Sequence, residues 1–377
     1  MTKEPVVAIL GATGAVGQEF IRLIEERKFP YSQLKLLASH RSAGKKLMVN
    51  GKEYTVEEAK PESFDGVDIG LFAGGSVSKE LGPEAAKRGC VVIDNSSTFR
   101  MDPNVPLVVP EVNPEDIALH KGIIANPNCS TIIMLMALKP IHDLSPIKRI
   151  IVSTYQAVSG AGKEGLDELR EETEAFLAGR DMEPKILPSK SLPKHYPIAF
   201  NLIPQIDKFV EDDYTKEEMK MVNETHKMLH DDSIAITATT VRVPVFRSHA
   251  ESIYVETADE LTVDAVRKAI DAFPGRSGSG RSGSDGIPHA FIYVGKIRLL
   301  RRPYPQGFIQ SQGGQPLGFR RSDPQGRSPQ CPADCGIHAG SRHDSLRSRW
   351  EMNLYVNFSE HHYCHDNAFQ PGRFRQL

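Results

Sequence analysis

The sequence predicts an α/β protein of two domains, followed by a C-terminal tail of different character. Three observations carry this reading. Short apolar runs alternate with amphipathic stretches through the first half, a glycine-rich turn joins the first run to the first helix, and the composition changes abruptly near residue 276. A chain of 377 residues is long enough for two cores, and its 40% apolar and 25% charged content suits a globular protein. No apolar stretch reaches the roughly 18 residues that span a bilayer. The N-terminus "MTKEPVVAIL" has no signal-peptide pattern. Five scattered cysteines make no disulfide framework, so a reducing, cytoplasmic setting is expected.

The elements follow in order. "VVAIL" (Val6–Leu10) reads as a buried strand, and Ala15–Glu26 as a helix with Phe20, Leu23 and Ile24 on one face. "LKLLA", "DIGLFAG", "CVVID" and "GIIAN" are further strands, with a helical stretch at Glu80–Arg88. After Asn128 the pattern changes. "STIIMLMALKPI" reads as a helix, "RIIVSTYQAVSG" as a strand, and Lys163–Ala178 as a charged helix. "SIAITATTVRVPVF" and "ESIYVET" are strands of a second sheet, and Thr262–Phe273 is a helix that ends at a Pro-Gly pair.

The turn after the first strand is "GATGAVG", with Gly11, Gly14 and Gly17 evenly spaced. Glycines there let the backbone approach a pyrophosphate, whose charge the next helix N-terminus favours. A tight strand–helix turn without a ligand is the plainer reading. Where an NAD-binding fold places an acidic residue near the end of its second strand, this chain has Ser39, His40, Arg41 and Ser42. A cation and hydroxyls suit a 2′-phosphate, so NADP is expected over NAD, unless Arg41 merely sits in a solvated loop. Residues 1–128 thus read as a Rossmann-type nucleotide-binding domain.

"NPNCST" sets Cys129 at the start of a helix directly after an apolar strand. The helix N-terminus favours a thiolate there, and Asn128 with the neighbouring N–H groups suits an oxyanion. The alternative for Cys129 is a small buried cysteine, the reading given outright to Cys90. "VRVPVFRSH" supplies Arg242 on a strand and His249 in a loop beyond it. His249 is a candidate general acid/base. Arg242 in an apolar strand calls for an anion, either a substrate carboxylate or an internal partner.

"GATGAVG", "NPNCST", "STYQAVSGAG", "EEMKMVNET" and "VRVPVFRSHAE" together resemble the bacterial aspartate-β-semialdehyde dehydrogenases, from Val6 to about Gly275. The resemblance implies NADPH-dependent reductive dephosphorylation of L-aspartyl-4-phosphate, on the route to lysine, threonine and methionine, by a homodimer. It implies that residues 129–275 form an α+β catalytic and dimerisation domain. It makes Cys129 the thioester-forming nucleophile and His249 the acid/base, with Gln156 orienting the substrate. Arg242 would grip the substrate carboxylate, and Arg100 and Lys220 the phosphate. Glu217 would face the amino group, with Glu218 as the alternative. Thr13, Gly14, Ala15, Val16, Arg41, Ser42, Ser159 and Gly160 would contact NADP(H). The related N-acetyl-glutamyl-phosphate reductases share the chemistry, but "NPNCST" and "VRVPVFRSH" favour the aspartyl enzyme.

The tail breaks this pattern. Residues 1–275 hold 32 Lys and Arg against 41 Asp and Glu, whereas residues 276–377 hold 14 against 7. The overall charge of −2, which argues against nucleic-acid and membrane partners, therefore hides two unlike parts. Read one base later, codons for "QGRSPQCPADCG" (325–336) permit "KGAALNALQIAE", which resembles the family's closing helix. "IPHAF", "VGKIR" and "RPYPQGF" permit other family segments in the right order, and Met352 with Asn353 must then contain the stop TGA. Residues 276–377 are therefore expected to be an out-of-frame, disordered tail, which leaves the second domain truncated and the chain impaired or inactive. Cys331, Cys335, His361, His362, Cys364 and His365 match no tight metal-ligand spacing, and no metal is expected. Resequencing the codons from Phe273 to Ser279 should find a single-base slip. An intact frame, with the Trp350 peptide recovered from the expressed protein, would refute a sequencing error.

Overall fold

The computed structural model describes residues 4–274, 295–300 and 350–358. The first part runs β1 (Val6–Leu10), α1 (Ala15–Glu26), β2 (Gln33–Ala38), β3 (Lys46–Val49), β4 (Lys52–Thr55), β5 (Glu57–Glu58), β6 (Ile69–Phe72), α2 (Val77–Lys87), β7 (Val91–Asp94) and β8 (Ile123–Ala125). The second comprises α3 (Cys129–Leu144), β9 (Ile147–Gln156), α4 (Gly162–Leu177), α5 (Lys216–Leu229), β10 (Ala235–Arg242), β11 (His249–Thr257) and α6 (Val263–Ala272). Two tail segments are also strands, β12 (Gly295–Leu300) and β13 (Trp350–Phe358). The rest of the tail, with the six Cys and His residues named above, lies outside the described residues.

The first sheet has the order β5-β2-β1-β6-β7-β8, and all its pairings are parallel. A parallel sheet is covered on both faces, which explains why β1 and β6 read as continuous apolar runs. One face packs on α1 through Phe20, Ile21 and Ile24, and the other belongs to a core containing Leu81, Phe99, Ile132 and Leu135. The expected strands and first helix are all present. Differences are local: α2 starts three residues before Glu80, His249, expected in a loop, instead opens β11, and the short β3–β4 hairpin lacked an apolar run to announce it.

The second sheet has the order β10-β9-β11-β13-β12. β9 and β10 are parallel, while β11 runs antiparallel to both β9 and β13. β13 thereby borders β11 along its whole length, from Thr257 opposite Trp350 to His249 opposite Phe358. Alternation along β9 and β11 turns Ile150, Val152, Ile253 and Val255 towards α3 and α6. The opposite face leaves Ile151 and Tyr155 exposed.

α3 joins the two halves. Ile132, Leu135 and Met136 enter the core of the first sheet, whereas Ile133, Met134, Ala137, Leu138 and Ile141 enter that of the second. From Ser130 to Leu138 the helix is thus buried on every side, as a helix segment apolar all round must be.

The alternation of β11 also buries Glu251, two residues beyond His249 on the same face. Neither carboxyl oxygen has a hydrogen-bond partner among the described residues, and burial pushes its pKa well up. A carboxyl held protonated in the folded state contributes stability that is complete below the ordinary pKa and is lost as pH rises towards the folded value. Glu251→Gln removes that loss. Its melting temperature relative to the parent should rise between pH 5 and pH 8, and an unchanged difference across that range would contradict the burial of a neutral acid.

Candidate active site

The site forms where three strand ends meet the start of α3. Gln156 closes β9 and is paired in register with Arg242, which closes β10. His249 opens the antiparallel β11, so the chain reversal returns it to the same end of the sheet. Cys129 is the first residue of α3, and Asn128 is its N-cap. The Asn128 side-chain oxygen accepts from the N–H groups of Ser130 (2.9 Å) and Thr131 (3.3 Å), as an N-cap should.

Asn128 is held by further bonds. Its Nδ2 donates to Glu217 Oε1 (2.8 Å), and its backbone N–H donates to Glu224 Oε2 (2.6 Å). The Asn128 donors and the N–H groups of Ser130 and Thr131 are therefore engaged in setting the helix start. Asn128 thereby fixes the backbone that leads into Cys129.

Glu217 is the centre of a second set of bonds. Besides Asn128, its Oε1 accepts from Gln156 Nε2 (3.1 Å), and its Oε2 accepts from Lys220 Nζ (2.8 Å). Thr154 donates to the other end of the Gln156 amide (2.9 Å), which fixes the amide orientation. Burial pushes the Glu217 carboxyl up, but Lys220 and the amides of Asn128 and Gln156 outweigh it and hold it at about 2. Burial likewise opposes the charge on Lys220, and Glu217 more than offsets it, raising the ammonium pKa.

Glu218 is excluded from this site. Its side chain accepts from the N–H groups of Thr215 (2.7 Å) and Thr240 (2.9 Å), and Thr215 Oγ1 accepts from the Glu218 N–H in return. That is the capping box of α5, fastened to β10.

Arg100 comes from the first domain and is almost fully buried. Nη1 donates to Glu224 Oε1 (3.0 Å) and Nη2 to the carbonyl of Asn95 (3.0 Å), while Nε has no partner among the described residues. Arg242 is also buried, and its Nη1 donates to the carbonyl of Ala157 (2.6 Å). The guanidinium leaves no room beside Gly160, where a Cβ would fall 2.7 Å from Nη1.

His249 has no exposed surface. The Ala157 N–H donates to its Nδ1 (3.0 Å), so the neutral ring carries its hydrogen on Nε2. Burial, with Arg242 nearby, brings the imidazole down to about 3, against the weaker pull of Glu217.

At the same carboxyl edge of the first sheet from which β8 leads to Cys129, the "GATGAVG" turn after β1 is built for close approach. Gly11 has φ +84°, and a Cβ there would lie 2.9 Å from the Ala73 carbonyl; one on Gly17 would lie 2.2 Å from that of Gly11. Gly14, Ala15 and Val16 are exposed, and the first turn of α1 has no side-chain cap. Its leading N–H groups are those a helix leaves unbonded. Thr13 Oγ1 donates to Ser42 Oγ (3.3 Å), joining this turn to the exposed segment of Ser39 and Arg41. Ser159 Oγ is buried and has no partner among the described residues.

Glu224 was missed by sequence reasoning. It lies inside "EEMKMVNET", and its spacing from Glu217 and Lys220 places all three on one face of a helix. No described group of His, Cys, Asp and Glu has metal-binding geometry, and no described helix is long and apolar enough to cross a membrane.

Comparisons with known proteins agree with this geometry. A family model described as the semialdehyde dehydrogenase NAD-binding domain matches residues 6–120, and the corresponding dimerisation domain matches residues 138–312. The chain is 52% identical over 301 residues to the aspartate-semialdehyde dehydrogenase of Bacillus subtilis, covering 78% of this chain and 87% of that one. The crystal structure of aspartate semialdehyde dehydrogenase II from Vibrio cholerae, complexed with ASA, matches with a TM-score of 0.75 at 39% identity, covering 96% and 95% of the two chains. The Candida albicans enzyme with NADP matches with a TM-score of 0.53 at 26% identity, covering 71% and 76%.

The His249 ring should not titrate between pH 5 and pH 8 in a nitrogen-detected imidazole NMR spectrum. A midpoint near the ordinary 6.5 would mean that the ring is solvated and that its Nδ1 bond to Ala157 does not persist.

Proposed function

The chain belongs to the aspartate-semialdehyde dehydrogenase family, and from that premise we propose how its residues divide the work of the reaction. The function is that of an oxidoreductase of amino-acid biosynthesis. Neither alternative weighed from the sequence, an N-acetyl-glutamyl-phosphate reductase or an inactive product, is favoured by these matches. The direction considered is reduction of L-aspartyl-4-phosphate to L-aspartate 4-semialdehyde.

Cys129 acts as the nucleophile. Its sulfur bonds to the acyl carbon, the carbon–oxygen bond to phosphate breaks, and inorganic phosphate leaves with the electron pair. Arg100 and Lys220 balance the phosphate charge. Arg100 Nε, without a partner among the described residues, and the contact of Arg100 with the helix that carries Lys220 support this role. Gln156 and Asn128, tied through Glu217, hold the acyl group and the nucleophile's helix in one frame. Glu217, ionised and close to the bottom of the carboxylate range, suits the substrate ammonium. Arg242 suits the substrate carboxylate.

The cofactor is NADP(H), which supplies the hydride to the thioester carbon when bound. The Gly11–Gly17 turn would receive its pyrophosphate, Arg41 with Ser39 and Ser42 its 2′-phosphate, and Ser159 and Gly160 the nicotinamide side. The exposed cation at the end of β2 supports NADP over NAD. His249 would donate a hydrogen bond from Nε2–H to the oxyanion that develops on the acyl carbon and keep its proton; the carbonyl re-forms as the carbon–sulfur bond breaks and the electron pair returns to the Cys129 thiolate. The tautomer fixed by Ala157 is the observation that supports this assignment.

A homodimer formed through the open face of the second sheet fits the dimerisation-domain match and the exposure of Ile151 and Tyr155. A cytoplasmic location suits a catalytic thiol that must stay reduced.

The test is phosphate-dependent NADP reduction with aspartate semialdehyde, run on the full chain and on one restored to the shifted frame from residue 276. Both chains should turn over, the full chain more slowly than the restored one. Cys129→Ala should lower turnover by at least about 10⁴-fold, the scale lost with a covalent nucleophile. Arg41→Ala should raise the KM for NADP more than that for NAD. Turnover of N-acetyl-glutamate semialdehyde, or full activity of Cys129→Ala, would overturn the reading.

A further inference from the structure

We propose that Glu224 is a positioning residue that locks the phosphate-binding Arg100 to the start of the nucleophile's helix, so that one buried carboxylate sets both. The inference rests on the roles given above to Arg100 and Cys129. Glu224 is 1% exposed, and its two oxygens have separate tasks. Oε1 accepts from Arg100 Nη1 at 3.0 Å and Oε2 accepts from the Asn128 N–H at 2.6 Å. The first contact reaches across 124 residues to the first domain, and the second reaches the residue next to Cys129.

α5 completes the hold on Arg100. One turn further on, Lys227 Nζ donates to the backbone carbonyls of Arg100 (2.7 Å), Asp102 (2.7 Å) and Val105 (2.8 Å). The loop that carries Arg100 is thus fixed at its main chain by Lys227 and at its side chain by Glu224. With Nη1 donating to Glu224 and Nη2 to Asn95, the guanidinium plane has a single orientation, and Nε has no partner among the described residues.

Only a carboxylate of this length fits the task. Both contacts are donors, so both carboxyl oxygens must accept. Gln offers one acceptor and one N–H₂, and therefore sets a donor against either Asn128 or Arg100. Asp keeps the charge but is one methylene shorter, so it cannot span both donors. Releasing the Asn128 N–H frees the peptide that leads directly into Cys129, and releasing Nη1 lets Arg100 turn.

The experiment uses the full chain and reads Cys129 without requiring turnover. Iodoacetamide alkylation of the Cys129 peptide is followed by mass spectrometry, with and without inorganic phosphate as the probe. Cys90, which is buried, serves as the unreactive reference. In the parent chain, phosphate should slow Cys129 alkylation. In Glu224→Gln, the alkylation rate should change about tenfold and the half-protecting phosphate concentration should rise about tenfold, the scale of one charge-assisted bond. In an Arg100→Ala background, adding Glu224→Gln should leave phosphate protection unaltered while still changing the alkylation rate, because the two oxygens act on different partners.

Glu224→Asp carries the same expectations and replaces Glu224→Gln if the latter fails to fold by circular dichroism. Values within twofold of the parent in a folded variant would overturn the proposal. So would an equal loss of phosphate protection in the Arg100→Ala background, which would mark a general structural role. Absence of phosphate protection in the parent chain would instead refute the phosphate site itself, independently of Glu224.

Discussion

From Ser130 to Leu138 α3 has no solvent face, and from that constraint the position of Cys129 follows. One stripe of the helix lies in the core of the first sheet and the opposite stripe in the core of the second. Each fully buried aliphatic side chain contributes roughly 1.5–3 kcal/mol, so the helix cannot slide or rotate without exposing several at once. Its first residue is Cys129, which places the thiol at the boundary between the nucleotide-binding sheet and the sheet that carries Gln156, Arg242 and His249. The placement of Cys129 against Gln156, Arg242 and His249 is therefore a consequence of core packing.

The end of that helix is where buried charge accumulates. Isolated buried charges are too costly to keep, and here each has partners. Glu217 has Lys220 and two side-chain amides; Glu224 has Arg100 and a backbone N–H. Along α5 the residues Glu217, Lys220, Glu224 and Lys227 alternate in sign at helical spacing; Glu217 and Glu224 share Asn128, and Glu224 and Lys227 share Arg100. A site prepared in this way has its cations and amides oriented before a phosphorylated substrate enters, which reduces the reorganisation the reaction requires.

The same arrangement explains what the sequence concealed. The strands of the first sheet and the helices α1 and α3 are continuous or periodic in apolar residues, and those patterns are visible in one dimension. α5 is a 14-residue helix whose inward face includes Glu217, Glu218 and Glu224, so its apolar period is interrupted by the residues that matter most. The adjacent pair Glu217 and Glu218 could not be separated from sequence. They point to different neighbours, one to Asn128 and Gln156 and the other to Thr215 and Thr240, and that difference exists only after the helix has docked. Asn128 was legible as a polar residue at a helix start, but not as one whose donors are already taken.

By itself, the sequence determined the two-domain α/β plan, the glycine turn with its adjoining cation, the cysteine at a helix start, and the family. Each of these depends on residues close together in the chain, where spacing alone dictates geometry. The tertiary structure decided which carboxylate faces the site, which tautomer His249 holds, and how Arg100 is joined to Asn128 through Glu224. Those choices depend on pairs about 20 to 124 residues apart, and only burial in a shared, water-poor space makes such pairs meet and makes their bonds obligatory.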